Sequence, residues 1–274
     1  MTVLTIGPVT QDKIIKGKKE YSGVGGPTYF QSFVFDSLNI DYKAIVNLSN
    51  LDLLKEFPDL SKIIPIVKSD THLFTNHYPY PDNLDVRKQY SNFADIPISK
   101  KDLQKVLKDG ENIEGIIINP LNRFDFPLKT INYLKTFDIP LYLSIQGFIR
   151  VCDENSSVKL SFNNQLYDIL DSVEGLFLDE KEAEIVFNGD FSKFDVNEII
   201  ITKGSKGSRI IKNNKTIPIK AVENNNVLDS TGCGDTYMAA YISKKLDYHS
   251  PEVCGKFASL IASKKLSING PYRI

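Results

Sequence analysis

Five consecutive residues, Thr231-Gly232-Cys233-Gly234-Asp235, join a bare backbone to a carboxylate. Behind them Met238, Ala239, Ile242 and Leu246 recur on one helical face, so the small-residue turn reads as a helix N-terminus. The first N–H groups of a helix lack an intrahelical acceptor and point outward, ready for an anion. Gly232 and Gly234 have no side chain to cover them. A carboxylate beside such a hole would repel a resting anion. It suits a proton acceptor for a hydroxyl that attacks a phosphoryl group. An isolated aspartate in a first helical turn does no more than favour the helix dipole; the glycines around Asp235 point to catalysis. Cys233 opens a different class, a hydrolase with a thiol nucleophile activated at the helix terminus. That class needs a histidine partner, and none stands in a supporting context. A third class is a non-catalytic sugar or nucleotide sensor, against which the intact Asp235 and its glycines speak.

The elements that must hold this turn can be read from periodicity. Val3 to Ile6 form a strand ended by Gly7-Pro8, and Ile14 to Tyr21 a short hairpin turning at Lys16-Gly17-Lys18. Gly25-Gly26-Pro27 opens a helix striped by Phe30, Phe33, Val34 and Leu38, with proline at its first position. Ala44 to Val46 make another strand. Residues 63–98 carry β-formers and a proline-rich tip, Tyr78-Pro79-Tyr80-Pro81, and predict antiparallel strands outside the α/β rhythm. From the capping-box-like Ser99-Lys-Lys-Asp102 onward, strands at 115–119, 141–145, 176–178 and 199–202 alternate with helices at 99–107, 128–137, 160–170 and 182–187. Alternation of this kind predicts a parallel sheet covered on both faces. A hairpin around Asn213-Asn214 and helices at 233–245 and 251–267 close the pattern. Ligands of open parallel sheets bind beyond the carboxyl ends of the strands. A β appendage near that edge would act as a lid that keeps water from the reaction.

Bulk properties narrow the classes. The 274 residues, 42% of them hydrophobic, suffice for one large α/β domain. A net charge of −1 argues against a nucleic-acid binder. Cys152, Cys233 and Cys254 lie far apart without a CxxC pair, which argues against a disulfide framework or zinc site and fits a reducing cytoplasm. Neither a leader pattern nor a membrane-length apolar run is evident. No GxxxxGK[ST] loop exists, so phosphate binding is not of that kind.

The segment Asp229-Ser-Thr-Gly-Cys-Gly-Asp235 resembles the D-T-x-G-A-G-D signature of the ribokinase-like (PfkB) family of carbohydrate kinases. Gly7-Pro-Val-Thr-Gln-Asp12 looks like its first strand and substrate-binding aspartate. Gly25-Gly26 looks like its N-terminal di-glycine, Leu178-Asp-Glu-Lys-Glu182-Ala183 like its N-x-x-E segment, and Thr202-Lys-Gly204-Ser-Lys-Gly207 like its T-x-G-x-x-G nucleotide loop. Thr71-His-Leu-Phe74 through Arg87-Lys-Gln89, then Asn119-Pro120-Leu121 and Gln146-Gly147-Phe148-Ile149-Arg150, resemble a subgroup that includes myo-inositol kinases.

The resemblance implies a single three-layer α/β/α domain over residues 1–274, with a mainly parallel central sheet and a small β lid from about 11–24 and 64–98. It implies an ATP- and Mg²⁺-dependent phosphotransferase acting on a small sugar or polyol, with a cyclitol such as myo-inositol foremost and a nucleoside as the alternative. Asp235 would be the base, with Gly232, Cys233 and Gly234 as the anion hole. Asp12, Gly25, Gly26 and Arg150 would bind substrate, Thr202, Gly204 and Gly207 the nucleotide, and Glu182 the metal through water. Asp229 would order the turn or help hold a monovalent cation, and the lid could pair in a homodimer. The departures are Cys233 for alanine, Ser230 for threonine and Asp179 for asparagine. Pro27 and Phe30 stand where ribokinases grip ribose with lysine and asparagine, which argues against ribose. No Lys/Arg cluster near Asp12 or Gly25 favours a sugar phosphate. His72, His77 and His249 read as surface or lid residues rather than ligands.

Overall fold

Runs of β-branched residues such as Ile116-Ile117-Ile118 and Ile199-Ile200-Ile201 bury both faces of a strand, the signature of a sheet sandwiched between helices. The computed structural model describes residues 2–80, 88–107 and 112–274. The chain opens with β1 (Thr2–Ile6), β2 (Thr10–Lys16), β3 (Lys19–Gly25), α1 (Pro27–Ser37), β4 (Asp41–Leu48) and β5 (Ile63–Val67). There follow β6 (His72–Tyr78), β7 (Lys88–Ser91), α2 (Lys100–Val106), β8 (Ile113–Ile118), α3 (Leu128–Lys135) and β9 (Leu141–Ser144). A small hairpin, β10 (Arg150–Cys152) and β11 (Val158–Leu160), and the single turn α4 (Leu166–Ile169) lead to β12 (Val173–Asp179), α5 (Glu180–Phe187) and β13 (Val196–Thr202). The hairpin β14 (Ser208–Lys212) and β15 (Lys215–Ile219) precedes α6 (Cys233–Leu246) and α7 (Pro251–Leu266).

The nine-stranded central sheet has the order β15-β14-β13-β12-β9-β8-β1-β4-β5. From β13 to β5 every pairing is parallel, and β14 and β15 form an antiparallel edge. Side chains alternate between two cores because successive Cβ atoms point to opposite faces. Ile117 and Ile200 join Phe33, Val34, Met238, Tyr241 and Ala258 under α1, α6 and α7. Ile116, Ile118, Ile199 and Ile201 join Leu103, Ile131, Ala183 and Val186 under α2, α3 and α5. The expected three-layer α/β/α architecture is therefore present.

A separate four-stranded sheet, β3-β2-β6-β7, forms the lid. Its first hairpin turns at Gly17-Lys18, where Gly17 takes φ 58°. Three expectations are corrected. Ile63–Val67 is the edge strand of the central sheet, not lid; Pro65, which cannot donate to a ladder, is tolerated there because the strand has one neighbour. The lid is not wholly antiparallel, since β2 and β6 come from separate parts of the chain and run parallel. The helix expected at 160–170 shrinks to Leu166–Ile169, because the β-forming Val158–Leu160 pairs with β10 instead. Pro81 of the expected tip and Arg87 lie outside the described residues. Among the described residues no helix is long and apolar enough to cross a membrane.

A buried charge cluster ties this frame together on the side of the sheet covered by α6. The Glu198 carboxylate of β13 is fully buried and accepts hydrogen bonds from Lys212 (2.7 Å), Lys245 (2.5 Å) and the Tyr241 hydroxyl (2.8 Å). Burial works to raise its pKa, but the lysine bonds outweigh it and hold the carboxyl below its ordinary value. Glu198→Gln leaves two facing ammonium groups and is expected to lower the unfolding free energy by ~3 kcal/mol at neutral pH. The stabilisation is present above the ordinary carboxylate pKa and is lost as pH falls through the lowered folded-state value. Urea titrations of both proteins at pH 7 and about pH 3 check this, with the gap expected to close at the lower pH.

Candidate active site

Segment 229–235 folds as the sequence suggests, and the details say what it can do. Asp229 Oδ1 accepts from the Thr231 N–H at 2.9 Å, curling the chain into the turn. Gly232 is the N-cap of α6 at φ 73°, and a side chain there would strike the Phe30 ring. Only glycine meets both demands. The first intrahelical bond runs from Thr236 N–H to the Gly232 carbonyl at 2.8 Å, so the amides of Gly234 and Asp235 lie ahead of it. The Cys233 N–H is instead taken up by the Ser230 carbonyl at 3.2 Å. Of the three expected anion-hole amides, that one is already engaged. Gly234 is exposed, with open space where a Cβ would be. Burial pushes the Cys233 thiol up to about 11, so at neutral pH it is not the thiolate that a nucleophilic cysteine requires.

Two cavities meet at this turn. The smaller, about 110 Å³, lies beneath the lid and is lined by Asp12, Gly26, Arg150, Gly232 and Asp235 among others. Asp12, on β2, accepts from the Thr10 hydroxyl at 2.5 Å. Gly25 lies outside this lining; a side chain on it would overlap the Asp12 carboxylate, so its part is to make room for Asp12. Gly26, at φ 99°, packs against the Pro8 carbonyl. The structure adds polar groups that motif reading missed: Asn76 on β6, Gln89 on β7 and Gln146. Asn76 and Gln89 are cross-strand partners, and the Gln89 amide donates to Asn76 Oδ1 at 2.9 Å. The signal was available in the alternation of β6, where His72, Phe74, Asn76 and Tyr78 share the buried face and two of the four are polar.

The larger cavity, about 510 Å³, opens on the other side of the turn and is lined by Thr202, Gly204, Gly207, Cys233 and Gly234. Its wall includes Ala221–Asn225, Val227, Tyr237, Ala262, Ser263 and Leu266, and no lysine or arginine lines it among the described residues. Gly207, at φ 89°, lies against the Ile219 carbonyl and the Ala221 amide, which brings the loop after β13 onto the strand edge. Gly232 and Asp235 face the small cavity and Cys233 and Gly234 the large one, so the helix terminus is their common wall.

Glu182 lines neither of these cavities. It forms a capping box with Asp179, accepting from the Asp179 N–H at 2.9 Å while Asp179 accepts from the Glu182 N–H at 2.8 Å. Burial and the Asp179 charge push its carboxyl up to about 7; the Arg150 charge opposes this and the Asp235 charge adds to it. Glu182, Arg150 and Asp235 are thus electrostatic neighbours.

A buried polar layer supports the acceptor side. The Gln31 and Asn119 side-chain amides pair reciprocally at 2.9 Å, and the Thr5 hydroxyl joins them. This ties α1 to the carboxyl ends of β1 and β8 and places Gly26 and Phe30. His72, expected on the surface or lid, is fully buried and sits 3.0 Å from Asp125. Asp125 also accepts from the Leu121 and Asn122 amides, so the pair clips the lid to the loop after β8. A further hollow of about 440 Å³ lines up with the amino ends of β9 and β12, beside Leu141 and Val173, away from this chemistry.

Comparison with known proteins agrees with this geometry. The model of the pfkB family of carbohydrate kinases matches residues 146–273. A nucleoside kinase of Methanocaldococcus jannaschii is 33% identical over 112 residues, 38% of this chain and 36% of that protein. The matched stretch therefore spans about a third of that relative's length. A pyrophosphate-dependent kinase in the ribokinase family, solved with a pyrophosphate analog and myo-inositol, superposes with a TM-score of 0.83 at 22% identity, covering 99% of this chain and 97% of the other. Arabidopsis thaliana ribokinase, solved with ribose and ATP, superposes with a TM-score of 0.73 at 18% identity, covering 98% and 93%. Residues 146–273 are thus similar to the pfkB family of carbohydrate kinases, and the chain shares the fold of ribokinase-family kinases along its length.

Proposed function

We propose that the protein is a kinase that transfers the terminal phosphoryl group of a nucleoside triphosphate to a hydroxyl of a small uncharged polyol, with a cyclitol such as myo-inositol as the leading acceptor. One observation carries this reading. The N-terminus of α6 is the shared wall of two cavities, with the Asp235 carboxylate on one side and the uncovered backbone of Gly234 on the other. Asp235 accepts the proton of the attacking hydroxyl, and the oxygen so activated attacks the phosphorus across the turn. The amides of Gly234 and Asp235 receive the charge that gathers on the transferring oxygens. Asp12, Asn76, Gln89 and Gln146 offer carboxylate and carboxamide groups to several hydroxyls at once, while Arg150 is the one cation among the described residues that line the cavity. Such a wall suits a neutral polyol better than a sugar phosphate.

The donor side supports a nucleotide. A pyrophosphate donor presents only charge and calls for cationic side chains, and among the described residues none lines the larger cavity. Its apolar residues, Val222, Val227, Ala262 and Leu266, suit a base. The hard carboxylate oxygens of Glu182 and Asp235, electrostatic neighbours, would suit Mg²⁺ held through its waters. Bound with the donor, Mg²⁺ would neutralise its phosphates. A nucleoside acceptor is the second reading. A hollow of about 490 Å³ shares Asp12, Phe30 and Thr231 with the acceptor cavity and adds Tyr21 and Tyr29, a wall on which a base could stack.

A phosphorylation screen with ATP or pyrophosphate as donor and cyclitols, pentoses, hexoses and nucleosides as acceptors tests the proposal. Cyclitol with ATP is the expected best pair, and activity with pyrophosphate alone would overturn the donor assignment. Asp235→Asn is expected to lower kcat by about a thousandfold while donor affinity stays within a few-fold, and Cys233→Ala to leave turnover near wild type. Glu182 yields a paired expectation. Its folded pKa, about 7, exceeds the ordinary value, so its contribution to stability is full below the ordinary pKa and is lost as pH rises through 7. Glu182→Gln should therefore be more stable than wild type at about pH 8, by up to ~3 kcal/mol, while losing Mg²⁺-dependent turnover. Denaturation and rate measurements on the same preparation check both halves.

A further inference from the structure

Lys265, near the end of α7, is fully buried. A buried ammonium is tolerated only with partners, and its three N–H bonds need three acceptors. They find three oxygens: the Asp229 carbonyl at 2.9 Å, Asp229 Oδ2 at 3.1 Å and the Ile268 carbonyl at 3.4 Å. The same Oδ2 accepts from the Gly270 N–H at 3.1 Å, and Oδ1 holds the Thr231 N–H that starts the catalytic turn. The Leu228 and Asp229 amides both bond the Leu266 carbonyl, clamping the segment before the turn to the end of α7. Burial acts to raise the Asp229 carboxyl, yet the Thr231 amide and the Lys265 charge hold it below its ordinary value. Asp229 thus links a buried positive charge directly to the backbone of the turn.

The sequence reading left room for a monovalent cation at Asp229. The residues do not fit one. Carbonyl and carboxylate oxygens are what a potassium or ammonium ion takes in place of its water, but these oxygens already face an ammonium group. A second positive charge among them would be repelled.

We propose that Lys265 is a built-in monovalent cation, a positioning residue whose ammonium fills the oxygen cage of Asp229 and Ile268 and makes the enzyme independent of potassium. It acts through Asp229 to keep the 230–234 turn shaped for the donor, and its catalytic part rests on the kinase reading above. Lys265→Ala removes the ammonium and its stem and opens the cage to a free ion. Lys265→Met removes the charge but keeps the stem, leaving no room for one.

The test measures turnover and melting temperature of wild type and both variants in choline, sodium, potassium and ammonium chloride at equal ionic strength. Wild type is expected to show the same values in every salt. Lys265→Ala should lose about tenfold or more of its turnover in choline and melt lower, as befits a buried carboxylate stripped of its partner. Potassium or ammonium at about 0.1 M should restore at least about fivefold of that loss and raise the melting point, because the ion binds the folded form. Lys265→Met should show the loss without the recovery. Several-fold activation of wild type by potassium would overturn the proposal. So would near-wild-type turnover of Lys265→Met in choline, or a loss in Lys265→Ala that no cation repairs by either measure. If Lys265→Ala does not fold, Lys265→Met decides. If wild type turns over no acceptor in any salt, the kinase reading fails, and the melting temperatures still decide the cation proposal.

Discussion

The structure depends on leaving the first amides of α6 uncovered while enclosing everything around them. A helix terminus normally finds side-chain caps or water. Here the cap position is Gly232, left-handed and pressed against Phe30, and Gly234 is bare. Gly232 cannot carry a side chain, and Gly234 has none to cover the amides. With glycine at the cap position the helix gives up a side-chain cap at a cost of roughly a few tenths of a kcal/mol. What it provides is a polarised wall, one helix turn thick, between two cavities of different character.

Much of the remaining fold keeps that wall still. On one side, Asp229 and Lys265 fasten the entering chain to α7. Beneath, α6 packs its face of Met238, Tyr241 and Ile242 into the core it shares with α1, so Phe30 and Gly232 meet in a fixed relation. The Gln31–Asn119 pair locks α1 to the sheet. Polar groups with no water nearby make stiff joints, because any displacement leaves a buried donor or acceptor unpaired. The His72–Asp125 contact works the same way at the root of the lid. The lid can therefore bring Asn76 and Gln89 over the acceptor cavity without loosening the floor.

The rhythm of the chain after residue 99 was legible because both-face burial writes Ile-rich strands and capped helices directly into the sequence, as at Ser99–Asp102 and Asp179–Glu182. The Asn213-Asn214 hairpin was legible too, since two left-handed residues in a row favour asparagine. The region 63–98 was misjudged in part. Ile63–Val67 carries the same β-forming residues as the lid strands, and only its pairing with β4 decides its sheet. The helix expected at 160–170 lost its start for a similar reason, since Leu160 ends a strand whose partner comes from β10. Lys265 reads as one of two cations at a helix end, yet it continues the stripe of Ala258 and Ile261 at helical spacing into the interior.

The sequence by itself determined the family resemblance, the layered α/β plan and the turn that ends in Asp235, because glycines at forced positions and strand periodicity are local constraints. Tertiary structure alone decided which side of that turn each residue faces, that Gly25 serves Asp12 rather than the cavity, and that Cys233 is partly buried with its thiol pushed up. It also decided that a lysine 36 positions from Asp229 supplies its counter-charge. Those outcomes depend on distances between segments remote in the chain, set by how the two cores pack, and local residue patterns carry no record of them.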